Sequence, residues 1–453
     1  MFGSLRAYKA ATAIFIFILL LGVVGNVGAK EIVIWAGADL IAGSDELAKE
    51  IKARFPHIDP VIQPMSTDDV HAKLLAHVAA GMAPDVVAIN EANVTSFASQ
   101  GALLPLDDYL ADDPDTDPSN WVPMVYKTSV VEGKLYALPV TTDVRGLFWN
   151  KTMFSNAGLD PNAPPQTWSE LMEYAKRLTR TDGSGKLTQV GFRALESQGS
   201  LYFYAHLNGA EFLSADGRKA LLDTPEVLGA LEYVNSLYEF LGGYQTATSF
   251  GSGDRFLNQQ VAMRVNGNWR LNTKAADPRA ESVDWAVSWV PVPDDRYNQV
   301  GRFKGMSQFS TWSAGWRWTI PAASKNHDDA WQVLKFLSSV DGHLANARGE
   351  FLKKKADGQM YVPRITANIN ADRRLANEYF QTLPARYLEA QWFFIGMLEV
   401  TAHRPNHPLQ GELVSTLSSI QNTSTRDGVH PMEALQNAQR KLQASIDEYF
   451  ARQ

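Results

Sequence analysis

The sequence contains no cysteine among its 453 residues. It therefore has no disulfide framework, no thiolate metal site and no cysteine that could carry a lipid anchor after a signal peptide. Catalytic motifs are missing as well, since the chain has no Gly-x-Ser-x-Gly elbow, no His-Glu-x-x-His pair, no P-loop and no Gly-x-Gly-x-x-Gly turn. These absences argue against most enzyme classes, and we expect neither a cofactor nor a metal ion.

Long apolar runs are confined to the start of the chain. Arg6 and Lys9 precede AIFIFILLLGVVG, and the small residues Val27 and Ala29 have the spacing of a signal-peptidase site. We predict a signal peptide over residues 1–29, cut after Ala29. A membrane anchor is the alternative, although the apolar run is shorter than a full span. The mature protein is thus expected to be an exported, soluble monomer that begins at Lys30.

An excess of positive charge is also absent. Removing Arg6 and Lys9 with the signal leaves 40 basic against 49 acidic residues, a net charge of −9. Nucleic-acid binding normally requires a basic surface, so this charge balance argues against a nucleic-acid partner.

The mature chain alternates predicted strands and helices. EIVIWAG is typical of a buried strand, and it is followed by a helix over SDELAKEIKARFP, a strand over PVIQPM, a helix capped by Ser66 and a strand over DVVAI. This β-α-β-α-β order predicts a parallel sheet. The chain is too long for one core, and after Gly133 it shows further α/β features, among them a capping box from Thr167 to Glu170. We therefore expect two α/β lobes.

Polar side chains follow the predicted strands. Asp39 comes soon after EIVIWAG, and Asn90, Glu91 and Asn93 come directly after DVVAI. Ligands of open α/β sheets bind outside the carboxyl ends of the strands, which makes these residues candidates for hydrogen bonds to a neutral polar ligand. The alternative is that such residues only cap the helices that follow.

Aromatic residues are abundant, with 12 tryptophans and 15 tyrosines. Several tryptophans fall in predicted turns, loops or strand ends: Trp35, Trp269, Trp312 and Trp316. An indole ring packs on the C–H face of a pyranose, while carboxylates, amides and arginine bind its hydroxyls. The inventory is that of a sugar site, although each tryptophan taken singly could equally be part of the core. His403 and His407 have the four-residue spacing of a helical zinc pair, but they flank prolines in an irregular stretch, which argues against a metal site there.

The chain resembles a known family in six segments that occur in the right order. They are AAGMAPDVVAINEANVTSFASQGALLPLDDYL, EGKLYALPV, LFWNKTMFSNAGLDPNAPPQTWSELMEYAKRLT, DGSGKLTQVGF, QQVAMRVNGNW and AGWRWTIPAASKNHDDAWQVLKFL. With these segments the mature chain is similar, over nearly its whole length, to the extracellular solute-binding proteins of ABC importers. The similarity is to the sugar-binding group related to maltose-binding protein.

The resemblance implies an α/β fold of two lobes, each a mainly parallel sheet flanked by helices, that close like a flytrap on one ligand. Lobe one would comprise residues 30–141 and 317–350, and lobe two residues 142–316 and 351–453. The chain would then cross between the lobes near Thr142, Arg317 and Phe351.

The resemblance also implies roles for particular residues. Asp143 matches the acidic ligand contact just after the family's Leu-Pro strand, and Arg145 lies beside it. The alternative is that these two charges pair only with each other at the hinge. Trp269 matches the family's stacking tryptophan, and Asn90, Glu91 and Asn93 match positions that often contact sugar. The acid-then-arginine pair of the maltose binder is not reproduced, which argues against maltose itself.

The expected function is that of a periplasmic sugar-binding protein, not an enzyme, which delivers its ligand to a permease with a separate ATPase. One alternative is a binding protein for a glycerol-phosphate-type ester or another polar solute. Binding the anionic phosphate group of such a ligand would require several basic residues, and only Arg145 is evident in the sequence. The alternative of another class is a secreted glycosidase that uses Asp143 with a second carboxylate such as Glu196, which would have to lie about 5 to 9 Å away.

Overall fold

The structure is a computed structural model that describes residues 28–110, 114–196, 198–275 and 277–452. The predicted signal peptide, apart from its last two residues, lies outside the described part. Among the described residues, no helix is long and apolar enough to cross a membrane.

The strands are short and spread along the chain. In chain order they are β1 (Lys30–Gly37), β2 (Ile58–Met65), β3 (Val86–Asn90), β4 (Val130–Val131), β5 (Lys134–Leu135), β6 (Leu138–Pro139), β7 (Asp143–Asn150), β8 (Arg180–Thr181), β9 (Leu187–Phe192), β10 (Val261–Gly267), β11 (Trp285–Ser288), β12 (Thr311–Ala314), β13 (Trp316–Thr319) and β14 (Thr401–Ala402).

Helices fill most of the intervening segments. They are α1 (Ser44–Arg54), α2 (Thr67–Ala79), α3 (Val94–Ser99), α4 (Pro123–Lys127), α5 (Lys151–Asn156), α6 (Trp168–Leu178), α7 (Leu201–Leu207), α8 (Pro225–Glu239), α9 (Tyr244–Ser249), α10 (Trp269–Ala275), α11 (Arg279–Ser282), α12 (Asp294–Tyr297), α13 (His327–Ser338), α14 (Val340–Ala356), α15 (Ile369–Tyr379), α16 (Ala385–Met397), α17 (Gln410–Gln421) and α18 (Pro431–Ala451).

The first sheet has the order β2-β1-β3-β13-β6. Strands β1, β2 and β3 run parallel as predicted, and β13 runs antiparallel to both β3 and β6. Side chains alternate along β3, so that Val86 and Ala88 face one apolar cluster while Val87 and Ile89 face another. Both faces of the sheet are therefore buried under helices.

The second sheet has the order β14-β12-β7-β10-β9-β8, and β11 also pairs with β7. Here β7 runs antiparallel to β10, β11 and β12, so this sheet is mixed rather than mainly parallel. Because β7 is buried on both faces, its apolar sequence predicts a strand. It does not indicate whether the neighbouring strands run parallel or antiparallel to β7. Leu147 and Trp149 face the larger core, whereas Val144 and Phe148 face a core shared with α16.

The chain passes between the sheets at adjacent points. Residues 140–142 lead from β6 to β7, and Gly315 leads from β12 to β13. Gly315 has a φ of +139°, and a Cβ added there would lie 2.1 Å from the carbonyl oxygen of Thr141. Only glycine allows the two passages to lie side by side.

The third passage follows α14. Phe351, where the family resemblance places a crossing, is an internal residue of that helix. Beyond it, the Ile365 carbonyl accepts from Thr142 N (3.4 Å) and the Ala367 carbonyl accepts from Val122 N (3.0 Å). The residue boundaries of the two lobes remain predictions.

We expect Gly315→Ala to destabilise the protein markedly, since the methyl group would force the two passages apart. Gly358→Ala is the matched control, because Gly358 also has a positive φ of 66° but has open space around its would-be Cβ. The control should cost about 1–2 kcal/mol of unfolding free energy, and Gly315→Ala at least about twice as much. Urea denaturation of both variants measures the difference; equal losses would show that the close approach is unimportant.

Candidate functional site

A cavity of about 340 Å³ lies where the two sheets meet. The ends of β1 and β3 reach it from the first sheet, while the starts of β7 and α10 and the residues of β12 reach it from the second. Its lining is mostly polar and aromatic: Asp39, Leu40, Asn90, Thr141, Thr142, Asp143, Arg145, Gln198, Asn268, Trp269, Trp312, Ala314, Trp316, Arg364, Ile365 and Arg404. Seven of the ten residues singled out in the sequence line this cavity, whereas Trp35, Glu91 and Asn93 do not.

Trp269 lies at the first position of α10 and is half-buried. Asn266 and Gly267 are residue types that favour a turn before Trp269, but both belong to β10 and pair with Gly146 and Arg145 of β7. The indole lies instead over Gly267, where an added Cβ would meet the ring at 1.7 Å. Gly267 therefore provides space for the ring rather than a turn.

Trp312 and Trp316 lie in strands β12 and β13 rather than in loops. Trp312 is only 4% exposed, although it contributes to the cavity wall. Trp316 is half-buried and stacks on His71, with ring centroids 5.9 Å apart and planes within 9°. Both rings are thus held in place by neighbouring groups before any ligand arrives.

Asp143 and Arg145 form an ion pair at the start of β7. The Arg145 guanidinium carbon lies 3.5 Å from the centre of the Trp312 ring and 5.1 Å from that of Trp269. Burial lowers the pKa of Arg145, and the neighbouring carboxylate of Asp143 opposes that effect. Asp143 also accepts from Ala314 N at 3.0 Å. The pair therefore joins β7 to β12 and lines the cavity as well.

Trp35 is a core residue. It lies inside β1, and its Nε1 donates to Gln63 Oε1 at 2.8 Å while the ring meets the edge of His77. Asn93 lies behind the cavity, with Nδ2 3.2 Å from His71 Nε2. Trp35 and Asn93 therefore pack and form hydrogen bonds within the first lobe and do not line the cavity.

Glu91 is almost completely buried just outside the cavity. Its side chain is 1% exposed, and Oε1 lies 3.4 Å from Nη1 of Arg404. The partner Arg404 lines the cavity, so Glu91 reaches the site only through it.

Two further arginines, Arg364 and Arg404, line the cavity, and neither was predicted from the sequence. Arg364 comes from the third passage, and its Nη1 lies 3.5 Å from Oδ2 of Asp39. Arg404 follows β14 in the segment HRPNHP, whose histidines and prolines are its more conspicuous residues. The neutral polar residues of the cavity that were not predicted are Gln198, Asn268, Thr141 and Thr142. Their only signal in the sequence is a position beside a predicted crossing or strand end.

Glu196, the second carboxylate of the glycosidase alternative, is not part of the cavity wall. It pairs instead with Arg193 at 3.2 Å. The carboxylates that do line the cavity, Asp39 and Asp143, are each paired with an arginine. Both cavity carboxylates are therefore engaged in ion pairs, which does not favour the glycosidase alternative.

The chain was compared with known proteins. The model of the family described as bacterial extracellular solute-binding protein matches residues 37–343. The chain belongs to this family. The resemblance noted in the sequence is thereby confirmed, and this is a family of binding proteins rather than of enzymes.

The chain is also similar to individual binding proteins and to solved structures. A binding protein of Brucella abortus is 26% identical over 70% of this chain and 74% of its own. The sn-glycerol-3-phosphate-binding periplasmic protein of Salmonella typhimurium is 33% identical over 57% of this chain and 67% of its own. A structure with mannobiose bound has a TM-score of 0.72 and 26% identity, covering 91% of this chain and 99% of its own. The two-lobed α/β fold is therefore confirmed.

We expect Asp143→Ala to lower the unfolding free energy by about 3–5 kcal/mol, because it leaves the buried Arg145 charge unpaired. Asp39→Ala is the matched control, since Asp39 also pairs with an arginine but its side chain is 56% exposed. The control should cost no more than about 1 kcal/mol. Chemical denaturation without ligand provides both values, and a small loss for Asp143→Ala would mean that the pair is not structural.

We expect His403 to make stability depend on pH. Burial, followed by the nearby Arg317 and Arg145 charges, lowers its pKa to about 3. The unfolded chain then binds more protons than the folded protein between that value and about 6.5. This contribution to the unfolding free energy is therefore complete above about pH 6.5 and is lost as pH falls toward 3.

Replacing His403 by Gln should lower the slope of unfolding free energy against pH by up to about 1.4 kcal/mol per pH unit. This is the slope that corresponds to the binding of one proton. The control is His430→Gln, which replaces an exposed histidine. His206 and His343, whose pKa values burial lowers to about 4, keep part of the slope in both variants. Unfolding curves from about pH 3.5 to 7 test this, and identical slopes in the His403 variant and the parent would refute it.

Proposed function

We propose that this protein captures a sugar in the cavity between its lobes and delivers it, as a periplasmic monomer, to an ABC import permease with a separate ATPase. The supporting observation is the meeting of Trp269, Trp312 and Trp316 with paired arginines and carboxylates in one cavity. Indole rings suit the C–H faces of a pyranose, and the paired charges present oriented donors and acceptors to its hydroxyls.

The charge arrangement favours a neutral ligand. Arg145 pairs with Asp143, Arg364 with Asp39, and Arg404 with the buried Glu91. Each of these guanidinium groups at the cavity thus already has a carboxylate partner. An anionic ligand would have to compete with these carboxylates, whereas hydroxyl groups can add to the existing hydrogen bonds.

Size is compatible with one or more sugar units. The volume of about 340 Å³ lies in the range of small-molecule sites. A neighbouring cavity of about 220 Å³ shares Gln198, Trp312 and Arg404 with it and could take a second unit. The structural likeness to a protein solved with mannobiose supports the same class of ligand.

A glycerol-phosphate-type ester is the second candidate. It is favoured by the likeness to the sn-glycerol-3-phosphate-binding protein and by the arginines, which number three at the cavity rather than the single one evident in the sequence. The existing ion pairs argue against it. A direct comparison of ligands decides between the two.

The deciding experiment is a thermal-shift and calorimetry screen of mono- and oligosaccharides, including mannobiose, beside sn-glycerol-3-phosphate and glycerol. A specific ligand at 100 times its dissociation constant stabilises the protein by about 2.7 kcal/mol. We expect at least one sugar to do so. A shift with sn-glycerol-3-phosphate and with no sugar would overturn the proposal in favour of the ester.

For the sugar found in that screen, we expect Trp269→Ala to weaken binding at least about tenfold, or 1.4 kcal/mol, while costing less than the 3–5 kcal/mol of unfolding free energy typical of a core aromatic. The reason is that the Trp269 ring is half-buried beside the cavity rather than enclosed. Trp392→Ala is the control, because Trp392 is 53% exposed and lies outside the cavity wall. Calorimetry and denaturation on both variants provide the measurements, and unchanged affinity in Trp269→Ala would remove this residue from the site.

A further inference from the structure

Glu91 is a buried carboxylate whose side-chain partners come from the opposite lobe. It follows β3 of the first sheet, and its side chain is 1% exposed. Oε1 lies 3.4 Å from Nη1 of Arg404, and Oε2 accepts from Nε2 of Gln410 at 3.3 Å. Burial raises the pKa of Glu91, and the positive charges of Arg404 and Arg317 oppose this effect.

The segment of residues 404–410, here called the interlobe strap, is anchored in the second lobe. Before it, β14 pairs with β12 of the second sheet. After it, Leu413 and Leu417 of α17 belong to the core of the second lobe. The strap therefore moves with the second lobe when the lobes separate.

The interlobe strap makes further contacts with the first lobe. Asn406 Nδ2 donates to the Val130 carbonyl at 2.8 Å, and Thr95 Oγ1 donates to Asn406 Oδ1. Glu91 is the charged residue that the first lobe contributes to this contact set. Separating the lobes would leave that charge without Arg404 and Gln410.

Arg404 connects the interlobe strap to the cavity. Its guanidinium carbon lies 4.3 Å from the centre of the Trp312 ring and 5.7 Å from that of Tyr202, and its side chain is 15% exposed. The arginine thus has a cavity-lining side and a side that faces Glu91. Because Glu91 and the two rings already hold the guanidinium in place, Arg404 loses less conformational freedom on ligand binding than an unrestrained arginine would.

We propose that Glu91 is a positioning residue that holds Arg404 of the opposite lobe at the cavity wall, and that this buried ion pair stabilises the closed arrangement of the lobes. Closing the lobes and ordering Arg404 for the ligand are then one event. The link to a ligand rests on the proposed function, whereas the link to closure does not.

The absence of cysteine permits a direct test of closure. Met82 of the first lobe and Met306 of the second are 65% and 51% exposed, so Met82→Cys with Met306→Cys gives two unique sites for spin labels. Pulsed electron resonance then measures the distance distribution between the lobes in the ligand-free protein. We expect Glu91→Gln to lower the ratio of short-distance to long-distance populations by about tenfold, the scale of one lost charge-assisted hydrogen bond.

Two further variants separate positioning from simple structural support. Glu226→Gln is the matched control, because Glu226 pairs with Arg302 at 3.1 Å within the second lobe and should leave the distances unchanged. Glu91→Gln combined with Arg404→Gln removes both charges, so it leaves no buried unpaired charge of this pair and should still fold. Its population ratio should equal that of Glu91→Gln alone, since both variants lack the same interaction.

Three results would overturn the proposal: a parent protein without a short-distance population, an unchanged distribution in folded Glu91→Gln, or a population ratio in the double variant that differs from that of Glu91→Gln. None of these depends on which ligand the protein binds. A failed sugar screen would therefore reject the proposed function and leave this inference standing, and the reverse also holds.

Discussion

The ion pair of Asp143 and Arg145 is the constraint around which the cavity is built. Arg145 lies within β7, which is bonded to β10, β11 and β12, and a charge at such a position needs a partner and access to polar surroundings. Asp143 is two residues earlier, and alternate residues of a strand share a face. The charges interrupt the buried run because the chain enters the second sheet beside the cavity at this point.

The same constraint accounts for the aromatic wall. Trp312 on β12 covers the guanidinium of Arg145, and Trp269 approaches it from the end of β10 because Gly267 leaves room for the ring. The aromatic surface and the charged pair are therefore parts of one packed unit. A ligand that stacks on the tryptophans necessarily lies near the ion pair.

Local patterns in the sequence predict the elements of this architecture but not its long-range contacts. The capping box of Thr167 and Glu170 is present, and the parallel order of β1 to β3 follows from the alternation of strands and helices. Trp35 was misplaced because strand ends cannot be located within two residues, and β1 continues past it. Glu91 was assigned to the cavity, although Arg404, more than 300 residues further along the chain, lies between. The directions of β10, β11 and β12 relative to β7 likewise depend on how distant segments pack.

The two lobes contribute unequally to the cavity wall. Trp269, Trp312 and the ion pair of Asp143 and Arg145 lie on or beside strands of the second sheet, while Asp39, Asn90 and Trp316 lie on or beside strands of the first. In kinetic terms, a ligand can therefore dock on the second lobe before the first arrives. If the protein captures its ligand as proposed, the second lobe sets the rate of capture, and the opening of the first lobe sets the residence time of the bound ligand.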